Sequence, residues 1–156
     1  MATEGKKVLF ICLGNICRSP IAEAVFNHVL KQKGLESGWH VDSAGIGSWH
    51  AGKSPDIRAI NVMEQHNIPM NHRARQITKK DFQYFDIIFG MDHENMSDLK
   101  RMKPNDCNAS CELFGSYDEK KEVTIRDPYY DDGDEGFHKC YEQCLRCAEG
   151  YLKSLG

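Results

Sequence analysis

Val8-Leu9-Phe10-Ile11-Cys12-Leu13-Gly14-Asn15-Ile16-Cys17-Arg18-Ser19-Pro20 is the stretch on which the rest of the chain depends. Its four unbroken apolar residues read as a buried strand. The strand runs into Cys12, and Arg18, Ser19 and Pro20 follow across a short loop. Pro20 suits the first turn of a helix, where a missing N–H costs nothing. Ile21, Ala22, Val25, Phe26 and Val29 then recur at helical spacing. Strand, loop and helix follow in order, with Cys12 at the strand's carboxyl end.

A loop wrapped ahead of a helix N-terminus turns backbone N–H groups into one concavity, which suits phosphate and similar oxyanions. Leu13, Gly14, Asn15, Ile16 and Cys17 are the residues so placed. Gly14 permits backbone angles that a larger residue resists. Arg18 can offer a planar, two-pronged grip on phosphate oxygens. The donors that hold the anion also stabilise a thiolate at Cys12, and Ser19 can hydrogen-bond the sulfur. The combination describes a nucleophile aimed at the phosphorus of a bound monoester. The Cys-x5-Arg spacing alone is weak, because Cys140 and Arg146 repeat it. That second pair has no glycine, no strand before it and no serine after it. The plain alternative for Cys12 is a small core residue.

The chain has 156 residues and a net charge of −3, enough for one domain with a sizeable core and no signature of nucleic-acid binding. Lys79-Lys80, Lys100-Arg101 and Lys120-Lys121 are short and read as solvated surface. No apolar run reaches membrane-spanning length, so no membrane insertion is expected. The first residues, Met-Ala-Thr-Glu-Gly-Lys-Lys, lack the apolar core of a leader. Seven cysteines without a leader read as reduced thiols in the cytoplasm. Cys107-x3-Cys111 and Cys140-x3-Cys144-x2-Cys147 come without paired histidines at metal-finger spacing, so neither a metal nor another cofactor is expected.

Short apolar strands alternate with helical segments, which predicts a parallel sheet covered by helices. The first helix should end near Lys33, with Gly34 as its cap. Trp39–Gly45 reads as a second strand. Ser54-Pro55-Asp56 reads as a helix start capped by Ser54, followed by an apolar stripe of Ile57, Ile60 and Met63. Phe85–Met91 reads as a third strand leading to Asp92 and a helix carrying Met96 and Leu99. Cys111–Phe114 reads as a fourth strand. The last helix should begin near Asp134 and bury Phe137, Cys140, Tyr141, Cys144, Ala148, Tyr151, Leu152 and Leu155. Ligands of open parallel sheets bind beyond the carboxyl ends of the strands. Cys12, Ser43, Asp92 and the loop holding Asp127 should therefore meet on one rim.

Cleavage of a phosphate monoester needs a proton for the leaving oxygen. Asp127, followed by Pro128 and flanked by aromatics that favour its protonated form, is the candidate acid; an ordinary turn aspartate is the alternative. Trp49, Tyr129 and Tyr130 can wall a slot deep enough for an aryl phosphate and too deep for phosphoserine, or can simply pack at the rim. Asn15 and Ser43 can hold the loop, and asparagine tolerates left-handed backbone. Glu23 and His72 can pair outside it, with His72 held protonated. Cys17 is either a resolving thiol for an oxidised Cys12 or a small buried residue.

These residues resemble the low-molecular-weight protein tyrosine phosphatases over nearly the whole chain. The resemblance is carried by Val8–Pro20, Val41-Asp42-Ser43-Ala44-Gly45, His72-Arg73-Ala74-Arg75-Gln76-Ile77, Met91-Asp92, Gly115-Ser116-Tyr117-Asp118, Asp127-Pro128-Tyr129-Tyr130 and Tyr141–Cys147. It implies a four-stranded parallel sheet flanked by helices, a flavodoxin-like three-layer α/β sandwich, with the phosphate loop after the first strand. It implies Cys12 as nucleophile, Arg18 as clamp and Asp127 as acid and then base, with Asn15, Ser19, Ser43 and His72 ordering the loop. It also implies protection of Cys12 by a disulfide to Cys17, and metal-free hydrolysis of protein phosphotyrosine and small aryl phosphates. Tyr129 and Tyr130 match positions that tyrosine kinases modify in some relatives. His50, Asp131 and Asp132 sit at the rim that sets substrate choice. Arsenate reduction, the main rival activity, would need Cys107 or Cys111 to reach Cys12.

Overall fold

The fold comes from a computed structural model that describes residues 5–156; residues 1–4, part of the segment read above for a leader, lie outside the described residues. Four parallel strands form one sheet: β1 (Lys7–Cys12), β2 (His40–Gly45), β3 (Ile87–Gly90) and β4 (Ser110–Leu113), in the order β2-β1-β3-β4. Five helices cover it: α1 (Arg18–Gln32), α2 (Ile57–Glu64), α3 (Lys79–Tyr84), α4 (His93–Met102) and α5 (Glu135–Ser154). Alternation along β1 explains the three layers. Val8, Phe10 and Cys12 face a core shared with α1, α2 and α5, whereas Leu9 and Ile11 face Phe82 of α3 and Leu99 of α4.

Register fixes the rim. Cys12 lies opposite Gly45, Ile11 opposite Gly90, and Gly90 opposite Leu113, so the strands end nearly in line. The crevice between the neighbours β1 and β3, where connections leave in opposite directions, is the expected ligand position for such a sheet. α1 ends as expected, with Gly34 at φ +67° just past Lys33.

Several boundaries differ from the sequence reading. Asp56, not Ser54, caps α2: its carboxylate accepts the Arg58 backbone N–H at 2.9 Å, while Ser54 Oγ accepts from Arg73. Ile57 turns outward and Ile60 is half-buried, while Met63 is buried as expected and is joined by Ala59 and Val62. Phe114 leaves the sheet and opens a 3₁₀ turn, Phe114–Tyr117. Tyr141 of α5 and Leu155 just past its end are only half-buried, whereas Gln143 and Cys147 of α5 are buried. α3 was not anticipated, although Thr78 and Asp81 form a capping box that the sequence displays.

Candidate active site

Cys12 ends β1 and is 3% exposed, at the floor of a cleft of about 400 Å³. The backbone N–H of Asn15 donates to Cys12 Sγ at 3.3 Å, and Ser19 Oγ lies 3.0 Å from the same sulfur. Which of the two carries that last proton follows from Asn15. The Arg75 backbone N–H, a donor without ambiguity, reaches Asn15 Oδ1 at 3.0 Å. The amide nitrogen Nδ2 therefore faces the other way and donates to Ser19 Oγ at 2.8 Å and Ser43 Oγ at 3.0 Å. Ser19 Oγ, accepting there, has its one proton free to point at sulfur. Ser43 Oγ, also accepting, sends its proton to Glu23 Oε1 at 2.6 Å. The same logic makes His72 Nε2 a donor to Asn15 Oδ1 at 2.6 Å.

The side chains of Asn15 and Ser19 are thus buried behind the loop, while the Asn15 backbone N–H faces the cleft sulfur. Asn15 also carries the left-handed backbone, at φ +62°. Gly14 serves a different need from the one expected: a Cβ there would stand 2.9 Å from Cδ2 of His50. Gly45, opposite Cys12 on β2, lets the backbone of Leu13 and Gly14 pack directly, since a Cβ would meet both at 3.1 Å.

His72 Nδ1 approaches Glu23 Oε1 at 3.2 Å, the pairing expected from sequence. Burial pushes the imidazole below its ordinary value. Burial, helped by Asp42 and opposed by the Ser43 hydrogen bond, pushes the Glu23 carboxyl up to about 7.

Arg18 is 2% exposed. Its Nη1 donates to Asp92 Oδ2 at 2.5 Å and to the Ile125 carbonyl at 2.9 Å, which commits both Nη1 protons. A grip on phosphate oxygens then falls to Nε and Nη2. Burial opposes the charge, yet Cys12, Asp92 and Asp127 hold the guanidinium pKa above its ordinary value. Asp92 also caps α4, its Oδ1 accepting the Asn95 N–H at 2.8 Å. Asp127 Oδ2 lies 3.7 Å from Arg18 Nη2, and its Oδ1 accepts the Tyr129 N–H at 3.1 Å.

Leu13, Ile16, Cys17, Trp49, Tyr129 and Tyr130 line the cleft, as the sequence suggested, together with His50. Tyr129 is half-buried, with its ring 5.8 Å from His50, whereas Tyr130 is 89% exposed. Burial, then the nearby Cys12, pushes the Cys17 thiol far up. Cys107 and Cys111 pack against the core on the opposite sheet face from Cys12, which removes the relay that arsenate reduction would need.

Sequence reasoning missed Arg75 and Arg58. Arg58, stacked 4.5 Å over Phe137, donates to the carbonyls of Tyr129 (2.8 Å) and Asp131 (2.6 Å), holding the Asp127 loop from below. These partners lie more than seventy residues away, and no local pattern announces such contacts.

Residues 7–156 match the family model described as low molecular weight phosphotyrosine protein phosphatase. A relative of that name from Gallus gallus is 49% identical over 154 residues, 97% of each chain. A crystal structure described as Primo-1 superposes with a TM-score of 0.91 at 47% identity, covering 95% of this chain and 97% of the other. A protein tyrosine phosphatase from Entamoeba histolytica, solved with Hepes in its active site, gives a TM-score of 0.91 at 34% identity over 97% of both chains.

Proposed function

The chain belongs to the low molecular weight phosphotyrosine protein phosphatases and is a protein tyrosine phosphatase; on that premise we propose that Cys12, Arg18 and Asp127 carry the reaction. The thiolate of Cys12 attacks phosphorus in line while Asp127 gives its proton to the departing tyrosyl oxygen. The P–O bond breaks as the P–S bond forms. Water, losing a proton to Asp127, then attacks the cysteinyl-phosphate and releases inorganic phosphate. Loop N–H groups and Arg18 stabilise the equatorial oxygens through both steps.

The observation that supports this most is the proton of Ser19, which the Asn15 amide leaves free for Cys12 Sγ. Ser43, His72, Glu23 and Asp92 serve the reaction by holding the loop and Arg18. The flat, aromatic cleft walls favour an aryl phosphate in a protein chain, and Trp49 and Tyr130 are exposed enough to meet its surroundings. Cys17, buried beside Cys12 on the same cleft, is the proposed disulfide partner after oxidation. Seven free cysteines suit a cytoplasmic enzyme, and no helix among the described residues is long and apolar enough to cross a membrane. Tyr130 is the tyrosine within a kinase's reach; peptide mapping after kinase treatment that finds no phosphate on it removes that idea.

The test is p-nitrophenyl phosphate hydrolysis at mildly acidic pH with EDTA. Cys12→Ser should leave almost no turnover, and Asp127→Ala should lose roughly 10² to 10⁴ in rate. After a peroxide pulse and thiol treatment, wild type should recover and Cys17→Ser should not. Turnover retained in Cys12→Ser would overturn the nucleophile. Equal rates for Asp127→Ala and wild type on a phenyl phosphate with a poor leaving group would overturn the acid.

A further inference from the structure

We propose that the groove between α1 and residues 67–73 is a docking site for an extended acidic peptide segment of a partner protein. The groove shares no lining residue with the cleft over Cys12, and its volume is about 770 Å³ against about 400 Å³ for the cleft. Its length suits a peptide. The α1 wall runs from Pro20 to Gln32, which at 1.5 Å of rise per residue is about 18 Å. Five or six extended residues, at roughly 3.3 Å each, cover that distance.

The wall facing α1 has main-chain groups to spare. The Ile68 N–H donates to the Met63 carbonyl at 3.0 Å, and the Ala74 N–H to the Lys53 carbonyl at 2.8 Å. Between these two anchors, the N–H groups of residues 70–73 and the carbonyls of residues 69–73 make no backbone–backbone hydrogen bond to any described residue. The segment is neither helix nor strand, so no element of the fold uses these groups. A peptide laid alongside can pair with them as an added strand pairs with a sheet edge, and such pairing asks little of the peptide's sequence. Pro69 and Met70, with Ala24 across the groove, offer apolar surface to its alternate side chains.

Charge selects the occupant. The acid on the groove's lining is Glu23, and its carboxylate is already engaged by Ser43 Oγ at 2.6 Å and His72 Nδ1 at 3.2 Å, behind the Cys12 loop. The other charged lining side chains are the cations Lys31 and Arg73, both exposed. Lys31 enters no ion pair among the described residues, and Arg73 is held by a neutral partner, Ser54 Oγ. In a chain whose net charge is −3, a groove with free positive charge favours aspartate and glutamate in its occupant and disfavours lysine and arginine. Asn27 and Asn71, also exposed on the lining, add amide donors and acceptors. Binding here leaves Cys12, Arg18 and Asp127 untouched, so it stands or falls separately from their catalytic roles.

The experiment titrates the full chain in dilute phosphate buffer, which fills the oxyanion site over Cys12 and keeps an acidic probe out of it. The probe is a fluorescein-labelled six-residue peptide alternating glutamate with leucine, and its control alternates lysine with leucine. Fluorescence polarisation should rise with the acidic peptide and stay flat with the basic one. Lys31→Glu should weaken binding about threefold or more, the scale of one exposed charge pair lost and replaced by repulsion. A second readout does not depend on the variant. In amide spectra of the parent, the acidic peptide should shift residues 70–73 and the Ala24–Lys31 stretch of α1 while the Cys12 loop stays still. Equal binding of the two peptides, affinity unchanged by Lys31→Glu, shifts confined to other faces, or no binding at all would each overturn the docking site.

Discussion

Two loops meet over the cleft, and they are held in opposite ways. The Cys12–Arg18 loop is fixed from within: Asn15, buried and left-handed, satisfies Ser19, Ser43, His72 and Arg75 at once. The loop from Asp127 to Gly133 is fixed from without. Its carbonyls at Tyr129 and Asp131 hang on Arg58, and an exposed pair, Arg126 with Asp131, closes its outer side. The first arrangement suits an anion cradle, whose donors must not reorganise during reaction. The second suits an acid that must meet different substrates and later a water, since loops with few buried contacts open at low cost.

The comparison breaks most sharply at Asn15. Asn15→Ala removes two donors and the acceptor for two more, strains a non-glycine residue at positive φ, and frees Ser19 to turn its proton from sulfur. Each buried group left unpaired costs about 1–3 kcal/mol. Misplacement of a catalytic group by an ångström costs roughly 10²-fold in rate, so kcat should fall by about that much, together with the thermal midpoint. Asn15→Gly relieves the backbone but not the hydrogen bonds. It should recover stability without recovering kcat. Wild-type kcat in either variant would show that the loop does not depend on its internal bracket.

Arg58→Met tests the outer loop. Methionine keeps the packing over Phe137 and removes the hydrogen bonds to the two carbonyls. A loss of about 1 kcal/mol in loop order is a factor of roughly 5 in population. The drop in kcat should be of that size and steeper for phenyl phosphate than for p-nitrophenyl phosphate, because only the poorer leaving group depends on the acid. Amide exchange at Tyr129–Gly133 should quicken while that of the Cys12 loop stays put. Equal losses for the two substrates would mean that Arg58 acts on something other than Asp127.

The same contrast explains what the sequence disclosed. The inner loop is written in consecutive residues, so Cys12, Arg18 and the strand and helix around them were readable from spacing and turn chemistry. Asp92 and Asp127 were readable because parallel strands bring their carboxyl ends to one rim. Arg58 and Arg75 were not, since the loop groups they hold lie across the fold and their own neighbourhoods look like ordinary helix and loop. The cap of α2 was misplaced because Ser54-Pro55 and Asp56 are both sound helix starts. Tertiary contact decides between them: the Asp56 carboxylate binds Arg58, which is needed at the Asp127 loop. Burial, invisible in a sequence, bears on the charge state of the Glu23–His72 pair.

That charge state supplies the smallest and most discriminating effect. The Glu23 carboxyl rises from 4.5 to about 7 on folding, so between those values the native state holds a proton that the unfolded chain has released. On this account stability falls as pH rises through the window. The His72 imidazole moves the other way, below its ordinary 6.5, so it adds stability as pH climbs towards 6.5. The two slopes oppose each other below 6.5, and above it only the fall due to Glu23 remains, ending near pH 7. Glu23→Gln keeps the size of the side chain, removes the titrating carboxyl and so removes one of the slopes. Urea unfolding from pH 5 to 8 in EDTA should show a shallow profile with a late decline in wild type. In Glu23→Gln it should show a rise that levels off near 6.5. A late decline that survives the substitution would place the abnormal proton elsewhere than on Glu23.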